Sequence, residues 1–431
     1  MRQRIVVVGA GFAGFHAARR LRRLVREAAE VVVISTTNYF LYMPLLPQTA
    51  GGVLDPRRLT LPLNQLLPGV RAIPGEVDAI DFGQRRVDFH TLGGDRGSVR
   101  YDRLVVAVGS VHKLLPIPGL AEHAHGFRGI PEALYLRDHL IRQVELAALT
   151  DSPSERLARN TFVVVGAGYT GTEVAAHGQL LTRKLARRLP ALASTPPRWL
   201  LLDIAPRILP ELDERLSLAA SRVLRRRGVE LYLNTSVEKA TADGVQLSTG
   251  EHIPTRTLVW CVGVRPDPLV ESFGLPTMKG RLVVNPRLQV PAHPEVYACG
   301  DAAAVPISDQ PGDVAPMTAQ HAVRQGKLVA HNIAASLGLG QVPRAYRHHD
   351  LGFVVDLGGV QAAANPLGVP LAGPLAAAVT HGYHLFSIPG NRLRIASEWL
   401  LEAVLPRQTV QLGLVGPQEV PLETASPELT R

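Results

Sequence analysis

The amino-acid sequence predicts an α/β protein with two domains of parallel sheet covered by helices, followed by an amphipathic C-terminal region. Three observations lead to this prediction: the length of 431 residues, two copies of a strand, glycine turn and helix pattern, and a change of composition beyond Tyr346. Such a length exceeds one ordinary core, so two or three domains are expected. Hydrophobic residues make up 46% of the chain and charged residues 19%, which is typical of a globular protein.

The first glycine turn follows a continuous apolar run at residues 5–8, as expected for a parallel strand that is covered on both faces. The turn reads Gly9-Ala10-Gly11-Phe12-Ala13-Gly14, and a helix is predicted from residue 15 to about residue 26. The first glycine permits the tight turn, the second lets a pyrophosphate approach the backbone, and the third allows close packing of helix on strand. The N–H groups at the start of the helix would then bind the phosphates. A glycine-rich turn without a ligand is the alternative.

The same pattern recurs in the middle of the chain. An apolar run at residues 162–165 precedes Gly166-Ala167-Gly168-Tyr169-Thr170-Gly171, and a helix is predicted from Thr172 onward. One such turn is compatible with a nucleotide site, whereas two turns in one chain indicate two bound dinucleotides. The sequence therefore predicts two Rossmann-like dinucleotide-binding domains whose redox rings meet.

An acid at the end of the second strand usually holds the adenosine ribose in such domains. In the second copy the strand at residues 199–202 is followed by Asp203, whose charge would repel a 2′-phosphate and favour NADH over NADPH. The nearby Arg207 weakens that preference. In the first copy the strand at residues 31–34 ends in Ser35, which can hydrogen-bond a ribose hydroxyl only without charge assistance.

The charge balance favours anionic partners. The chain has 46 Lys and Arg against 37 Asp and Glu, a net charge of +9. Dinucleotide phosphates and anionic lipid head groups fit this balance. Nucleic acid is not expected as a partner, because the sequence has no RNA-recognition, zinc-finger or helix-turn-helix pattern.

The cysteine and histidine patterns predict no metal site and no redox disulfide. Cys261 and Cys299 are the only cysteines, both on predicted core strands, where free thiols usually behave as small hydrophobes. The run His348-His349-Asp350 is interpreted as a turn rather than a metal site. Residues 1–4 lead directly into a strand without a signal peptide, and no stretch of about 18 apolar residues occurs. A cytosolic or membrane-surface protein is therefore expected.

A second cofactor signal lies at Gly300-Asp301. A predicted strand at residues 296–298 precedes it, and a small-residue helix is predicted to begin directly after it. This arrangement would place a carboxylate and helix N–H groups beside another part of the first dinucleotide. An ordinary N-cap aspartate is the alternative.

At this point the chain resembles the FAD-dependent pyridine-nucleotide oxidoreductases and, among them, the type II NADH dehydrogenases. The segments that carry the resemblance are residues 38–46, 101–110, 258–264, 300–301 and 319–326. The resemblance implies FAD at the first turn, NADH at the second, and a membrane quinone as electron acceptor. It also implies a peripheral protein at the cytoplasmic face of the cell membrane, with an anionic membrane surface as partner.

The motifs and the resemblance together predict the cofactor-binding residues. For the flavin these are Gly9, Ala10, Gly11, Phe12, Ala13, Gly14, Ser35, Pro44, Leu45, Val77, Gly109, Ser110, Gly300, Asp301 and Gln320. For NADH they are Gly166, Gly168, Tyr169, Thr170, Gly171, Glu173, Asp203 and Gly263.

Glu173 is predicted to be catalytic, because the resemblance places a functional glutamate here, close to the nicotinamide or flavin ring. The residue is expected in the first turn of the second nucleotide helix. The alternative is a carboxylate that merely stabilises a helix N-terminus, worth about 0.3–1 kcal/mol.

Gln320 and Arg324 are the other two predicted catalytic residues. Gln320 is expected to hydrogen-bond the acceptor-facing edge of the flavin, with helix capping as the alternative. Arg324 lies one helical turn further and should share a face with Gln320. The family usually has glutamine at this quinone-lining position, and an acid where Ser35 stands. Arg324 is expected either to donate a hydrogen bond to a quinone carbonyl or to narrow the path by which quinones enter. The identity of the electron acceptor is therefore left open.

The C-terminal region is predicted to contain an amphipathic helix from Arg392 to Leu405. Leu393, Ala396, Leu400 and Val404 fall near one face beside Trp399, which suits a membrane interface. A helix packed on the body or against a second copy in a homodimer is the alternative. The predicted domains are 1–118 and 283–343 for FAD, 119–282 for NADH, and 344–431 for membrane docking or dimerisation.

The sequence thus predicts hydride transfer from NADH to FAD and two-electron transfer to a membrane quinone, without proton pumping. Two other functions stay open. One is a flavin reductase with a non-quinone acceptor such as an electron-carrier protein. The other is a flavin-bound redox sensor or scaffold.

Overall fold

The computed structural model describes residues 2–307 and 312–422. Its contacts divide the chain into two compact units, each assembled from three segments. The first unit comprises Met1–Leu41, Thr60–Val111 and Val264–His349. The second comprises Tyr42–Leu59, His112–Gly263 and Asp350–Arg431. Residues 1 and 308–311 of the predicted FAD domain and residues 423–431 of the predicted C-terminal region lie outside the described part.

The first unit is organised around an eight-stranded sheet. Its central strands run parallel, and antiparallel strands extend it at both edges. In spatial order the strands are Gln289–Val290, His293–Ala298, Arg103–Val106, Gln3–Val8, Ala29–Ser35, Arg71–Asp81, Arg86–Thr91 and Arg96–Arg100. Ile5, Val6 and Val7 have no exposed surface, as expected for a central strand that is covered on both faces.

Two long helices of the first unit, Phe12–Val25 and Ala319–Ser336, pack on each other. At their crossing, a Cβ on Gly326 would lie 2.2 Å from the Ala13 carbonyl oxygen, so only glycine permits this approach. Other described elements of the unit are the helix Leu63–Leu66 and the strands Tyr39–Leu41, Thr60–Pro62, Val264–Pro266, Thr277–Met278, Arg281–Val283 and Ala303–Ala304. The strand Ser110–His112 also begins in this unit.

The second unit contains a five-stranded, fully parallel sheet. In spatial order its strands are Ala124–Gly126, Thr257–Trp260, Thr161–Val165, Arg198–Asp203 and Val229–Leu233. Its described helices are Leu46–Ala50, Leu120–His123, Ile130–Leu149, Pro153–Arg159, Tyr169–Ala186, Glu214–Arg226, Pro374–Ser387 and Arg392–Val404. Two small antiparallel sheets complete it: Val237–Thr241, Gly244–Leu247 and His252–Pro254, then Val354–Asp356, Ala362–Ala364 and Leu371–Ala372.

One sheet with a parallel centre and one fully parallel sheet, together with their helices, confirm the predicted α/β dinucleotide-binding fold. Within residues 2–307 and 312–422, no helix combines the length and the apolar character that a bilayer crossing requires.

Three local predictions are wrong. Both nucleotide helices begin inside their glycine turns, at Phe12 and Tyr169 rather than at residues 15 and 172. Gly300-Asp301 opens only a 3-10 turn, Gly300–Ala302, which leads into a short strand. The sequence after it is rich in small residues, but the next long helix begins only at Ala319, where Thr318 accepts a hydrogen bond from the His321 N–H.

Candidate dinucleotide and redox site

The first glycine turn has the stereochemistry of a phosphate-binding loop. Gly9 has a φ of +94°, a conformation that side chains rarely adopt, and a Cβ on it would meet the Ala107 carbonyl oxygen at 2.3 Å. A Cβ on Gly14 would lie 2.0 Å from the Gly9 oxygen. At Gly11, by contrast, a Cβ would meet nothing within 4 Å. The loop therefore has no room for a side chain at Gly9 or Gly14, whereas it is open at Gly11, where a pyrophosphate would approach.

The second turn repeats these features in the other unit. Gly166 has a φ of +100°, and a Cβ on Gly171 would lie 1.8 Å from the Gly166 oxygen. A Cβ on Gly168 would meet nothing within 4 Å. Neither helix has a side-chain cap or an acidic residue in its first turn, so no side chain competes for the helix N-terminus. Both turns therefore fit a dinucleotide phosphate.

The two ribose candidates differ in what they already bind. Asp203 Oδ2 accepts a hydrogen bond from the Ala167 N–H at 2.5 Å, and Oδ1 accepts one from the Ala205 N–H at 2.8 Å. The carboxylate thus fixes the second glycine turn as well as ending its strand. Ser35 ends the strand Ala29–Ser35, and its hydroxyl accepts a long hydrogen bond of 3.4 Å from the Thr37 N–H.

Asp301 lies beside other predicted flavin residues in the first unit. The Ser110 hydroxyl donates to Asp301 Oδ2 at 2.7 Å. Gln325 Oε1 accepts from the Gly300 N–H at 2.7 Å and fixes the same turn. The N-cap alternative for Asp301 is wrong, because Cys299 occupies the N-cap position of this short turn.

Arg281 is a buried cation near Asp301 that no sequence motif indicates. Burial lowers the pKa of Arg281, and the charge of Asp301 opposes that shift. Its Nε atom has no hydrogen-bond partner among the described residues. A buried guanidinium with an unsatisfied donor fits an anionic ligand such as a dinucleotide phosphate. A single arginine at the start of a short strand gives no sequence signal of this role.

Gln320 and Arg324 lie on one helix face, as predicted. Arg324 Nη1 donates to Gln320 Oε1 at 3.0 Å and lies 3.5 Å from His348 Nδ1. The capping alternative for Gln320 is wrong, because Thr318 is the N-cap. His348 stacks on His321 with ring centroids 3.9 Å apart, and the Tyr346 hydroxyl lies 2.7 Å from His321 Nδ1. Burial raises the pKa of Tyr346 to about 12.

Glu173 is a buried carboxyl in the second turn of its helix. The helix begins at Tyr169, so the predicted position in the first turn is wrong. Glu173 Oε1 accepts a hydrogen bond from the Asp356 N–H at 2.8 Å. Burial raises the pKa of Glu173 well above its usual value, and the charge of Asp356 adds to that rise while the hydrogen bond opposes it. This carboxyl therefore keeps its proton to a higher pH than an exposed glutamate.

Around Asp356 lies a buried polar network, here called the Asp356 network, formed by Gln48, His177, Asp356 and Trp399. Gln48 Nε2 donates to Asp356 Oδ2 at 2.6 Å, and His177 Nε2 lies 3.1 Å from the same oxygen. Trp399 Nε1 donates to Gln48 Oε1 at 2.7 Å. Burial acts to raise the pKa of Asp356, but the charge and hydrogen bond of His177 prevail and lower it. The network fixes the strand whose N–H binds Glu173.

The remaining predicted residues are placed as follows. Phe12 packs edge-on against Phe40, with ring centroids 5.1 Å apart, and Tyr169 stacks on Phe353 at 5.5 Å. Val77 is buried in the strand Arg71–Asp81. The first unit holds Gly9, Ala10, Gly11, Phe12, Ala13, Gly14, Ser35, Val77, Gly109, Ser110, Gly300, Asp301, Gln320 and Arg324. The second unit holds Pro44, Leu45, Gly166, Gly168, Tyr169, Thr170, Gly171, Glu173, Asp203 and Gly263.

Both cysteines are free. Burial raises the pKa of each thiol, Cys261 and Cys299, to about 12, so neither is a thiolate at neutral pH. Within the described part of the chain, no group of three or more metal-ligating side chains could hold a metal ion.

Two glycine turns of the same stereochemistry, one in each unit, define a protein of the two-dinucleotide oxidoreductase class. The family model described as pyridine nucleotide-disulphide oxidoreductase matches residues 3–326. The type II NADH:quinone oxidoreductase Ndh of Mycobacterium tuberculosis is 30% identical over 411 residues, covering 92% of this chain and 86% of that protein. The demethylphylloquinone reductase NdbB of a Synechocystis species is 30% identical over 410 residues, covering 93% and 96%.

Solved structures show the same fold. NDH2 from Plasmodium falciparum in complex with NADH aligns with a TM-score of 0.88 at 16% identity, covering 95% of this chain and 100% of that one. The chain belongs to the pyridine nucleotide-disulphide oxidoreductase family and, within it, to the type II NADH:quinone oxidoreductases.

Proposed function

We propose that the protein oxidises NADH and passes two electrons, through bound FAD, to a membrane quinone. The observation that carries this proposal is the duplicated turn, closed at its outer glycines and open at Gly11 and Gly168. The named activities of the relatives, NADH:quinone oxidoreductase and demethylphylloquinone reductase, supply the donor and the class of acceptor. Bound FAD would accept a hydride and release electrons in a separate step.

In this proposal the first unit holds FAD. Gly11 and the start of the helix Phe12–Val25 would bind its pyrophosphate, and the Ser110–Asp301 pair would bind its ribityl chain. The second unit holds NADH at Gly168, with Asp203 close to the adenosine ribose. The domain boundaries 1–118, 119–282, 283–343 and 344–431 stay predictions.

Glu173 is proposed as the group that supplies a proton. Reduction of a quinone by NADH consumes one proton from solvent in addition to the hydride, because the quinol carries two hydrogens. A buried carboxyl with a raised pKa holds such a proton to a higher pH than an exposed carboxyl does. The Asp356 network supports this role indirectly, because it fixes the N–H group that orients Glu173.

The acceptor is tested by anaerobic spectroscopy of the purified, flavin-loaded protein. NADH should bleach the flavin absorbance, and a soluble quinone analogue should restore it faster than oxygen does.

Arg324→Gln is the informative variant, because it restores the family's usual residue beside Gln320. Its reoxidation by quinone should differ from that of the parent, whereas its bleaching by NADH should not. Fast reoxidation by ferricyanide but none by quinone would favour the non-quinone reductase, and slow reoxidation by every acceptor would favour the sensor.

A membrane surface is proposed at an apolar strip of the second unit, defined as Leu375, Phe386, Leu393, Leu400, Leu401 and Val404. All six side chains are exposed, Leu393 to 87% and Phe386 to 81%. The helix Arg392–Val404 is packed on its other side, where Ile395 is buried and Trp399 donates to Gln48. Trp399 is thus engaged within the unit rather than at an interface.

The acidic residues of this helix do not oppose docking. Glu398 pairs with Arg58, and Glu402 pairs with Arg407. The exposed Arg392 and Arg394 leave positive charge beside the apolar strip. Such a helix suits the interface of an anionic membrane, and we place it at the cytoplasmic face. A homodimer through the same strip is the alternative.

The double variant Leu393→Glu/Leu400→Glu should lower binding to anionic vesicles at least about tenfold, because burial of each leucine is worth roughly 1.5–3 kcal/mol. Flotation of the flavin-loaded protein measures this. Leu92→Glu/Leu149→Glu is the matched control, since both leucines are exposed outside the strip. If both double variants lose vesicle binding equally, docking through the strip is contradicted. If the parent is a dimer and Leu393→Glu/Leu400→Glu is a monomer, a homodimer through the strip is favoured.

A further inference from the structure

A groove lies between the helices Phe12–Val25 and Ala319–Ser336 of the first unit, and the proposed function makes no use of it. It is open to solvent and has a volume of about 540 Å³, within the range of small-molecule sites. Eight residues line the groove: four arginines, one lysine, two histidines and one leucine. The five cations are Arg19, Arg20, Arg23, Lys327 and Arg344.

The spacing of the side chains explains how the groove forms. His16, Arg19, Arg20 and Arg23 are three, four and seven residues apart, so they share one face of their helix. Lys327 follows Gly326, the residue at which the second helix touches the first. This close contact brings the two basic faces together. Among residues 2–307 and 312–422, no aspartate or glutamate lines the groove.

The charges in the groove repel one another. The pKa of His16 falls to about 3, first because of burial and then because of the charges of Lys327 and Arg19. The pKa of Lys327 is lowered by burial and by Arg324, Arg19 and Arg20. An anion bound among these cations would relieve the repulsion and would favour the charged forms of both groups.

The cationic end of the groove is separate from the predicted pyrophosphate position. Arg20 and Arg23 lie nine and twelve residues beyond Gly11 on the same helix. At a rise of 1.5 Å per residue, this corresponds to about 14 and 18 Å along the helix axis. A dinucleotide phosphate bound at Gly11 therefore leaves these two guanidinium groups available to another anion.

We propose that this groove binds a further phosphate ligand in addition to the two dinucleotides, one that carries at least two neighbouring phosphoryl groups. Planar guanidinium groups bind phosphate oxygens in pairs, and several of them along one groove suit more than one phosphoryl group. Leu328 and the alkyl parts of the arginines supply an apolar wall for the remainder of the ligand. The source is either a soluble diphosphate or the head group of a diphosphatidyl lipid.

The test uses Arg20→Gln/Arg23→Gln in the flavin-loaded protein with excess NAD⁺ present, so that the two dinucleotide turns are occupied. Calorimetric titration with pyrophosphate at constant ionic strength should show one site in the parent and at least tenfold weaker binding in the variant. Arg222→Gln/Arg225→Gln is the matched control: it removes the same charge at the same spacing from the helix Glu214–Arg226. The control should bind pyrophosphate like the parent.

A second arm measures flotation with vesicles of phosphatidylcholine, with and without diphosphatidylglycerol. Loss of pyrophosphate binding only in the groove variant supports a soluble ligand. Loss of diphosphatidylglycerol-dependent flotation only in the groove variant supports a lipid head group in the same groove. If the groove and control variants behave alike in both arms, the proposal is wrong. Flavin content and bleaching by NADH should be unchanged in both variants. These two measurements test the proposed function independently of the groove.

Discussion

Glu173→Gln is expected to lower the turnover of NADH with quinone by at least about 100-fold, within the usual range for the loss of a general acid. Glutamine has nearly the same size, and its Oε1 can still accept the Asp356 N–H, so the local structure should persist. What is lost is the proton that the buried carboxyl holds because its pKa is raised. Stopped-flow measurement of flavin reduction and reoxidation would show which half-reaction slows.

The control for this prediction is Glu238→Gln, the same substitution at an exposed position of the strand Val237–Thr241. It should leave both half-reactions and the flavin content unchanged. If Glu173→Gln matches the parent in both rates, the residue has no part in proton supply and only fills space in its helix.

The same substitution should change the pH dependence of stability. Above a pH of about 4.3 the unfolded chain releases the proton of Glu173, whereas the folded protein retains it because burial raises the pKa. The buried carboxyl therefore lowers the free energy of unfolding as the pH rises above about 4.3. Below that pH both states hold the proton, and the carboxyl has no such effect. The free energy of unfolding of Glu173→Gln, minus that of the parent, should therefore be larger at pH 8 than at pH 4.

Gly168→Ala is expected to raise the KM for NADH at least about tenfold while the flavin content stays unchanged. A Cβ at this position meets no protein atom within 4 Å, and Gly168 has an ordinary φ of −72°, so the fold accepts alanine. The methyl group would instead occupy the open side of the turn, where we propose that the pyrophosphate of NADH binds. Hydrogen bonds to a charged group are worth about 1.5–3 kcal/mol, which corresponds to a factor of roughly ten or more in affinity.

The reciprocal variant, Gly11→Ala, is the control. Gly11 has the same extended conformation and the same open side, but in the first unit. It should weaken retention of flavin and leave the affinity of the remaining flavin-loaded fraction for NADH unchanged. Steady-state kinetics and flavin absorbance distinguish the two variants. An unchanged KM in Gly168→Ala, or loss of flavin from it, would refute the assignment of the two turns.

The sequence predicts the two strand, glycine-turn and helix units well because the physics that forms them is local. An apolar strand, three glycines at fixed spacing and a helix all fall within a short stretch, and each glycine has a separate steric reason. The helix starts were misplaced by three residues because the last residues of each turn are already helical, which the predicted helix limits did not include. The Gln320–Arg324 contact was likewise predictable, since one helical turn separates the two residues.

The Asp356 network could not be predicted in this way. Gln48, His177, Asp356 and Trp399 are far apart in the sequence, and each has an ordinary local explanation. Only the fold of the second unit brings them together. The Ser110–Asp301 pair has the same character, because the residues are separated by 191 positions. Motif spacing reveals sites within one element, whereas networks between strands need the tertiary structure.

The position of Trp399 has a practical consequence for optical work on this protein. The chain has three tryptophans, and Trp199 and Trp260 are almost fully shielded from water, with exposures of 0% and 1%. Trp399 is only partly shielded and stacks on the His381 ring at 4.1 Å. Collisional quenchers dissolved in water should therefore act mainly on this one indole. Its emission then provides an intrinsic reporter on the C-terminal helix, without any attached dye.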